Sequence, residues 1–171
     1  MDLYLVRHAI AEPRDGSRWR DDSLRPLTPD GKALFRAGAR GLRRLGVEVE
    51  AVLASPYTRA WDTAVILAKQ AGWPSPEASP ALEPANPPSS CVEALETRSE
   101  SSLALVGHQP QLSRLASLLA CGNEDALRLE LKKGGVLCLR IADAPAASSG
   151  VLRWSASPRM LRILGGRSGR D

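Results

Sequence analysis

Leu3-Tyr4-Leu5-Val6-Arg7-His8 sets an apolar run directly against two basic side chains. Four bulky apolar residues without polar interruption read as a strand buried on both faces, as in a parallel sheet covered by helices. In open α/β sheets, ligands gather beyond the carboxyl ends of strands, where the following helix offers its N-terminus to anions. His8 is thereby placed to react and Arg7 to hold a negative group. Leu103-Ala104-Leu105-Val106-Gly107-His108 repeats the form, and His8 and His108 are the only histidines of the chain. Because strand ends of one parallel sheet converge on one edge, the two imidazoles are expected side by side.

Around these strands, 171 residues fit one domain able to bury a core without staples. We expect that domain to span residues 1–164, with residues 165–171 a flexible tail. Arginine far exceeds lysine within a net charge of +4, which suits a chain that grips phosphate or carboxylate oxygens. The arginines are not interleaved with aromatics, so a nucleic-acid partner is not expected. Cys91, Cys121 and Cys138 are odd in number and widely spaced, which fits neither a disulfide framework nor a zinc site. Met1-Asp2 leads straight into the first strand with no signal core, and no stretch reaches membrane-spanning length. The expectation is a soluble, cytoplasmic protein with no membrane partner and no metal.

Ala9 to Leu27 is a long, charge-rich connection of the kind that tends to carry function. Arg25 stands just before Thr28, an N-cap candidate, and Pro29, a first helical residue. A cation beside a helix N-terminus is electrostatically misplaced unless an anion lies between them. A helix over Pro29–Leu45 is followed by a buried strand, Ala51-Val52-Leu53-Ala54. Ser55-Pro56 then reads as a second N-cap and first turn, opening a helix to Ala71 that carries Arg59 to the same edge as the histidines. Prolines 74, 76, 80, 84, 87 and 88 break the next segment, leaving room for a short edge strand within Pro76–Leu82 and placing Glu83 near the edge. Helices are predicted over Pro88–Arg98, from Gln109-Pro110 through Ala120, and over Pro158–Leu164. Strands over Gly135–Ala142 and Val151–Ser155 suit a hairpin.

Arg7-His8-Ala9, Ser55-Pro56-Tyr57-Thr58-Arg59-Ala60-Trp61-Asp62-Thr63-Ala64 and Gly107-His108-Gln109-Pro110 resemble, in order, three motifs of the histidine phosphatase superfamily. Arg25-Pro26-Leu27-Thr28, Trp154-Ser155-Ala156-Ser157-Pro158 and the short length make the chain most similar to the SixA-type phosphohistidine phosphatases. The resemblance covers nearly the whole chain. It implies a three-layer α/β/α sandwich around a mostly parallel central sheet, phosphoglycerate mutase-like. It further implies a metal-independent phosphatase with His8 as nucleophile, passing through a phosphohistidine intermediate. Arg7, Arg59 and His108 would clamp the phosphoryl group, with Arg25 a fourth candidate ligand. A neutral His8 is required, and neighbouring Arg7 favours that form.

The implied substrate is a phosphorylated protein, with a histidine-phosphotransfer protein as candidate and inorganic phosphate as product. Glu83 is the candidate proton donor, although its surroundings do not match the acid-bearing motif of the mutases. A leaving imidazole departs as a neutral ring once protonated and needs less help than an alkoxide, so a missing acid favours phosphohistidine over esters. Ala9 stands where the family has glycine, which requires a backbone there that tolerates a β-carbon. Two other readings stay open: a broad small-molecule phosphomonoesterase, and a non-catalytic phosphate- or phosphoprotein-binding module.

Overall fold

The structure, a computed structural model, describes residues 1–166. Its sheet contains six strands in the order β3-β2-β4-β1-β5-β6, namely β1 (Asp2–Arg7), β2 (Ala51–Ala54), β3 (Glu77–Ala78), β4 (Ser102–Gly107), β5 (Val136–Ile141) and β6 (Gly150–Ala156). β1, β2, β3 and β4 run parallel, while β5 pairs antiparallel with both β1 and β6. The helices are α1 (Pro29–Arg44), α2 (Thr58–Ala71), α3 (Pro88–Glu96), α4 (Gln111–Cys121) and α5 (Pro158–Leu164).

The uninterrupted apolar strands arise because alternate residues serve two different cores. Tyr4, Val6, Val52, Ala104 and Val106 point into one layer with Phe35 and Leu42 of α1, Leu67 of α2 and Leu161 of α5. Leu3, Leu5, Leu53, Leu103 and Leu105 point into the other with Cys91 and Leu95 of α3 and Leu112, Leu115 and Leu119 of α4. The result is the three-layer α/β/α sandwich with a mostly parallel sheet.

Several boundaries differ from expectation. The edge strand within Pro76–Leu82 shortens to Glu77–Ala78 and passes into a 3₁₀ turn at Pro80–Leu82. α2 begins at Thr58 rather than Pro56, with Tyr57 at its N-cap position. α4 begins at Gln111. Thr28 caps α1 as predicted, its Oγ1 accepting from Gly31 N–H at 2.9 Å. The packed body extends past Leu164 to Gly165, which is buried and donates its N–H to the Leu161 carbonyl at 2.9 Å. The rest of the expected tail, residues 167–171, lies outside the described residues. No helix among the described residues is long and apolar enough to cross a membrane.

Candidate active site

β1 and β4 are neighbours in register, with Arg7 opposite Gly107, so the residues after each strand emerge together. His8 N–H donates to the Gly107 carbonyl at 3.0 Å, and the His8 and His108 rings lie 5.2 Å apart between centroids. Both face a cleft that is also lined by Arg7, Arg25 and Arg59. The five residues expected at this edge as nucleophile and phosphate ligands are thus brought together.

The His8 ring is oriented by its own neighbour. Nδ1 lies 2.7 Å from the Ala9 carbonyl, an oxygen that can only accept, so Nδ1 carries the proton and Nε2 keeps its lone pair. Ala9 is fixed in turn, donating its N–H to Thr63 Oγ1 at 3.0 Å, while that hydroxyl donates to the Arg59 carbonyl at 2.6 Å. Ser148 is the one non-glycine at positive φ among the described residues. Ala9 therefore has an ordinary backbone, and its β-carbon is accommodated without strain.

Burial pushes the His8 imidazole down to about 3, with the charges of Arg59, Arg7 and Lys133 adding to the effect and the Ala9 carbonyl opposing it. Arg7 contributes less to this neutrality than expected from the sequence, since desolvation is the largest cause. Burial likewise pushes His108 down to about 3, helped by His8, Arg59 and Arg25 against the opposing Asp22 charge. His108 Nε2 lies 2.9 Å from Ser55 Oγ, and its Nδ1 is buried with no protein partner. When the Ser55 hydroxyl donates to Nε2, Nδ1 carries a proton free for an anion. Ser55 Oγ also accepts from Tyr57 N–H at 3.3 Å, so the serine expected to cap α2 positions His108 instead.

Arg59 is almost fully buried and is held by a residue that sequence reasoning passed over, Asp22. Its Nη1 donates to the Asp22 carbonyl at 2.8 Å and its Nη2 lies 3.0 Å from Asp22 Oδ2. The guanidinium also stacks on Tyr57, 5.0 Å from the ring centroid. The same carboxylate receives Arg25 Nε at 2.8 Å, and Arg25 Nη1 donates to the Glu12 carbonyl at 2.8 Å. Partial burial works against ionisation of Asp22, but the Arg25 hydrogen bond and the charges of Arg59, Arg25 and Arg14 hold its carboxyl below the ordinary range. The anion answering Arg25 near α1 is thus in part this aspartate. The available signal was its spacing of three residues from Arg25.

Glu83 does not itself line the cleft, although the next residue does. It follows the 3₁₀ turn with its N–H on the Pro80 carbonyl at 3.0 Å, and the cleft is lined from this segment by Pro84. The carboxylates that do line it are Glu12 and Asp22, and both are ion-paired, Glu12 with Arg18 at 3.3 Å. Arg7 Nη1 donates to the Leu131 carbonyl at 2.9 Å, while Arg7 Nε and Arg59 Nε are buried without protein acceptors. Buried unpaired donors are rare in folded proteins, and three of them, counting His108 Nδ1, belong to residues lining this cleft, which suits a place for anionic oxygens. Lys133 lines the same cleft and was also missed by the sequence reading. Among the described residues, no cluster of three or more His, Cys, Asp or Glu could hold a metal ion.

Residues 3–85 match the family model for the histidine phosphatase superfamily (branch 1). The chain is 37% identical over 143 residues to an uncharacterized protein of Picosynechococcus sp., covering 82% of this chain and 85% of that protein. It is 27% identical over 167 residues to the phosphohistidine phosphatase SixA of Escherichia coli (strain K12), covering 95% and 98% of the two chains. A solved structure of the protein histidine phosphatase SixA complexed with tungstate superposes with a TM-score of 0.78 at 26% identity, covering 92% of this chain and 97% of that one.

Proposed function

The chain belongs to the histidine phosphatase superfamily, and from that membership we propose that it is a metal-independent phosphatase acting on protein phosphohistidine, with His8 as nucleophile. One observation carries the choice of substrate: the carboxylates lining the cleft, Glu12 and Asp22, are both ion-paired to arginines. Neither is a free proton donor for an alkoxide, whereas a protonated imidazole leaves as a neutral ring. Similarity to the E. coli phosphohistidine phosphatase SixA supports the same reading.

In the proposed reaction His8 Nε2 attacks phosphorus in line as the bond from phosphorus to the substrate imidazole breaks. The electron pair of that bond returns to the leaving nitrogen, and the proton on its other nitrogen makes the product ring neutral. The phosphorylated His8 ring becomes cationic, and its Nδ1–H retains the bond to the Ala9 carbonyl throughout. Water then attacks phosphorus, the Nε2–phosphorus bond breaks, neutral His8 returns, and the water proton leaves with inorganic phosphate. Arg7, Arg59 and His108 Nδ1 are the proposed stabilisers of charge on the equatorial oxygens. Arg25 supports the clamp through Asp22 and the cleft field.

The test is phosphate release, without added metal, from a phosphorylated histidine-phosphotransfer protein and from a panel of phosphomonoesters. His8→Ala is expected to abolish release from the phosphoprotein, with esters turned over poorly by both forms. A wild-type preference for one ester moves the assignment to a small-molecule phosphatase, and release that survives His8→Ala leaves a phosphate-binding module.

A further inference from the structure

We propose that Lys133 is a further phosphate-binding residue of this cleft, supplying an ammonium to the phosphoryl group beside Arg7 and Arg25. The assignment rests on the phosphatase reading above.

The turn that carries Lys133 is built around the two residues at the centre of the chemistry. Gly134 N–H is shared between the carbonyls of Arg7 and His8, at 3.1 Å to each, and Arg7 N–H donates to the Gly135 carbonyl at 3.2 Å. The Arg7 side chain closes the same loop from below through Nη1 to the Leu131 carbonyl at 2.9 Å. Gly134 sits at φ +78°, and a β-carbon there would approach Phe35 Cδ2 to 3.1 Å. The positive φ favours glycine there, and the backbone bonds hold the turn against the end of β1. The Lys133 backbone is therefore fixed one residue from bonds to Arg7 and His8.

Its side chain lines the cleft beside Arg7 and Arg25, yet among the described residues it makes no ion pair or side-chain hydrogen bond. Arg25 and Arg59 share Asp22, and Arg18 takes Glu12, so the neighbouring cations have partners that Lys133 lacks. Lys133 is solvent-exposed, and its ammonium stands among like charges that an anion in the cleft would answer. Partial burial and the Arg7 and Arg25 charges accordingly hold its ammonium below the ordinary lysine range. The anion that fits is the one the clamp already serves, a phosphoryl group with several acceptor oxygens.

The probe is inorganic phosphate, titrated by calorimetry at fixed ionic strength into wild type, Lys133→Gln, Lys133→Arg and Lys132→Gln. Lys133→Gln is expected to weaken phosphate about five- to tenfold with a melting temperature no lower than that of wild type, and to raise KM for the phosphoprotein more than it lowers kcat. Lys133→Arg should restore affinity to within about twofold, since the charge returns. Lys132→Gln, which removes the same charge one residue away, should bind as wild type. Equal binding by Lys133→Gln and wild type, or an equal loss in Lys132→Gln, overturns the assignment. Lys133-dependent phosphate binding in a protein that releases nothing from phosphohistidine keeps Lys133 and discards the substrate reading instead.

Discussion

At the scale of the residue, the site depends on two imidazoles held neutral by burial. His8 and His108 are both displaced to about 3, with desolvation the largest cause and neighbouring positive charges adding to it, against an unfolded value of about 6.5. The unfolded chain therefore binds more protons than the folded one between those limits. Stability is fully present above about pH 6.5 and falls as the pH drops, by up to about 1.4 kcal/mol per pH unit for each ring. Carboxylates such as Asp22, whose folded value is lowered, lose their contribution only further down. Urea denaturation of wild type between pH 4.5 and 6.5 should show this slope, and His8→Asn or His108→Asn should each remove about half of it. A slope identical in all three proteins would mean that neither imidazole is held neutral by the fold. The same neutrality gives His8 a usable lone pair across the physiological range, and an anion in the cleft would draw protons back toward the pair.

At the scale of the element, close approach of backbones decides which substitutions the fold accepts. On α1, a β-carbon at Gly41 would run into the Leu161 carbonyl of α5, and one at Gly165 into the Ala37 carbonyl of α1. At Gly38, one turn away, it would meet only Leu161 Cβ at an ordinary 3.6 Å. Gly41→Ala should cost about 2–3 kcal/mol by overpacking, while Gly38→Ala should stabilise by about 0.5–1 kcal/mol through helix propensity. Chemical denaturation separates the two, and equal effects would mean that α5 does not dock as described. Such contacts are invisible in sequence, where Gly38 and Gly41 read alike. What is legible there is the end of a strand buried on both faces. β1 and β4 show unbroken apolar runs because two cores share each strand, so His8 and His108 could be placed from spacing alone. Ser55 was misread because a serine before proline has the local form of a cap, whereas the contact with His108 is tertiary. Asp22 and Lys133 left only weak marks, since each reaches the cleft through loop closure that no periodicity records.

At the scale of the whole molecule, the sheet gathers cations from segments far apart in the chain, from Arg7 to Lys133, and sets more of them than carboxylates around one cleft. The folded state carries the electrostatic cost of that gathering, and unfolding relieves it, so an anion that binds only the folded cleft must stabilise the protein by linkage. At phosphate about one hundred times its dissociation constant, the gain is about 2.7 kcal/mol. For a chain of this size that corresponds to a rise of about 5–10 °C in melting temperature. General exclusion of phosphate from protein surfaces also stabilises, but it grows steadily with concentration and does not saturate. Specific occupancy should appear instead as a logarithmic rise at low millimolar phosphate with sodium chloride adjusted to constant ionic strength. Arg59→Ala removes a clamp residue and leaves Asp22 to Arg25 and Arg14, so it should abolish that early rise while retaining the linear increase at high phosphate. An early rise that persists in Arg59→Ala would locate the stabilising anion outside this cleft and remove the link between phosphate binding and the arrangement of β1, β4 and α2.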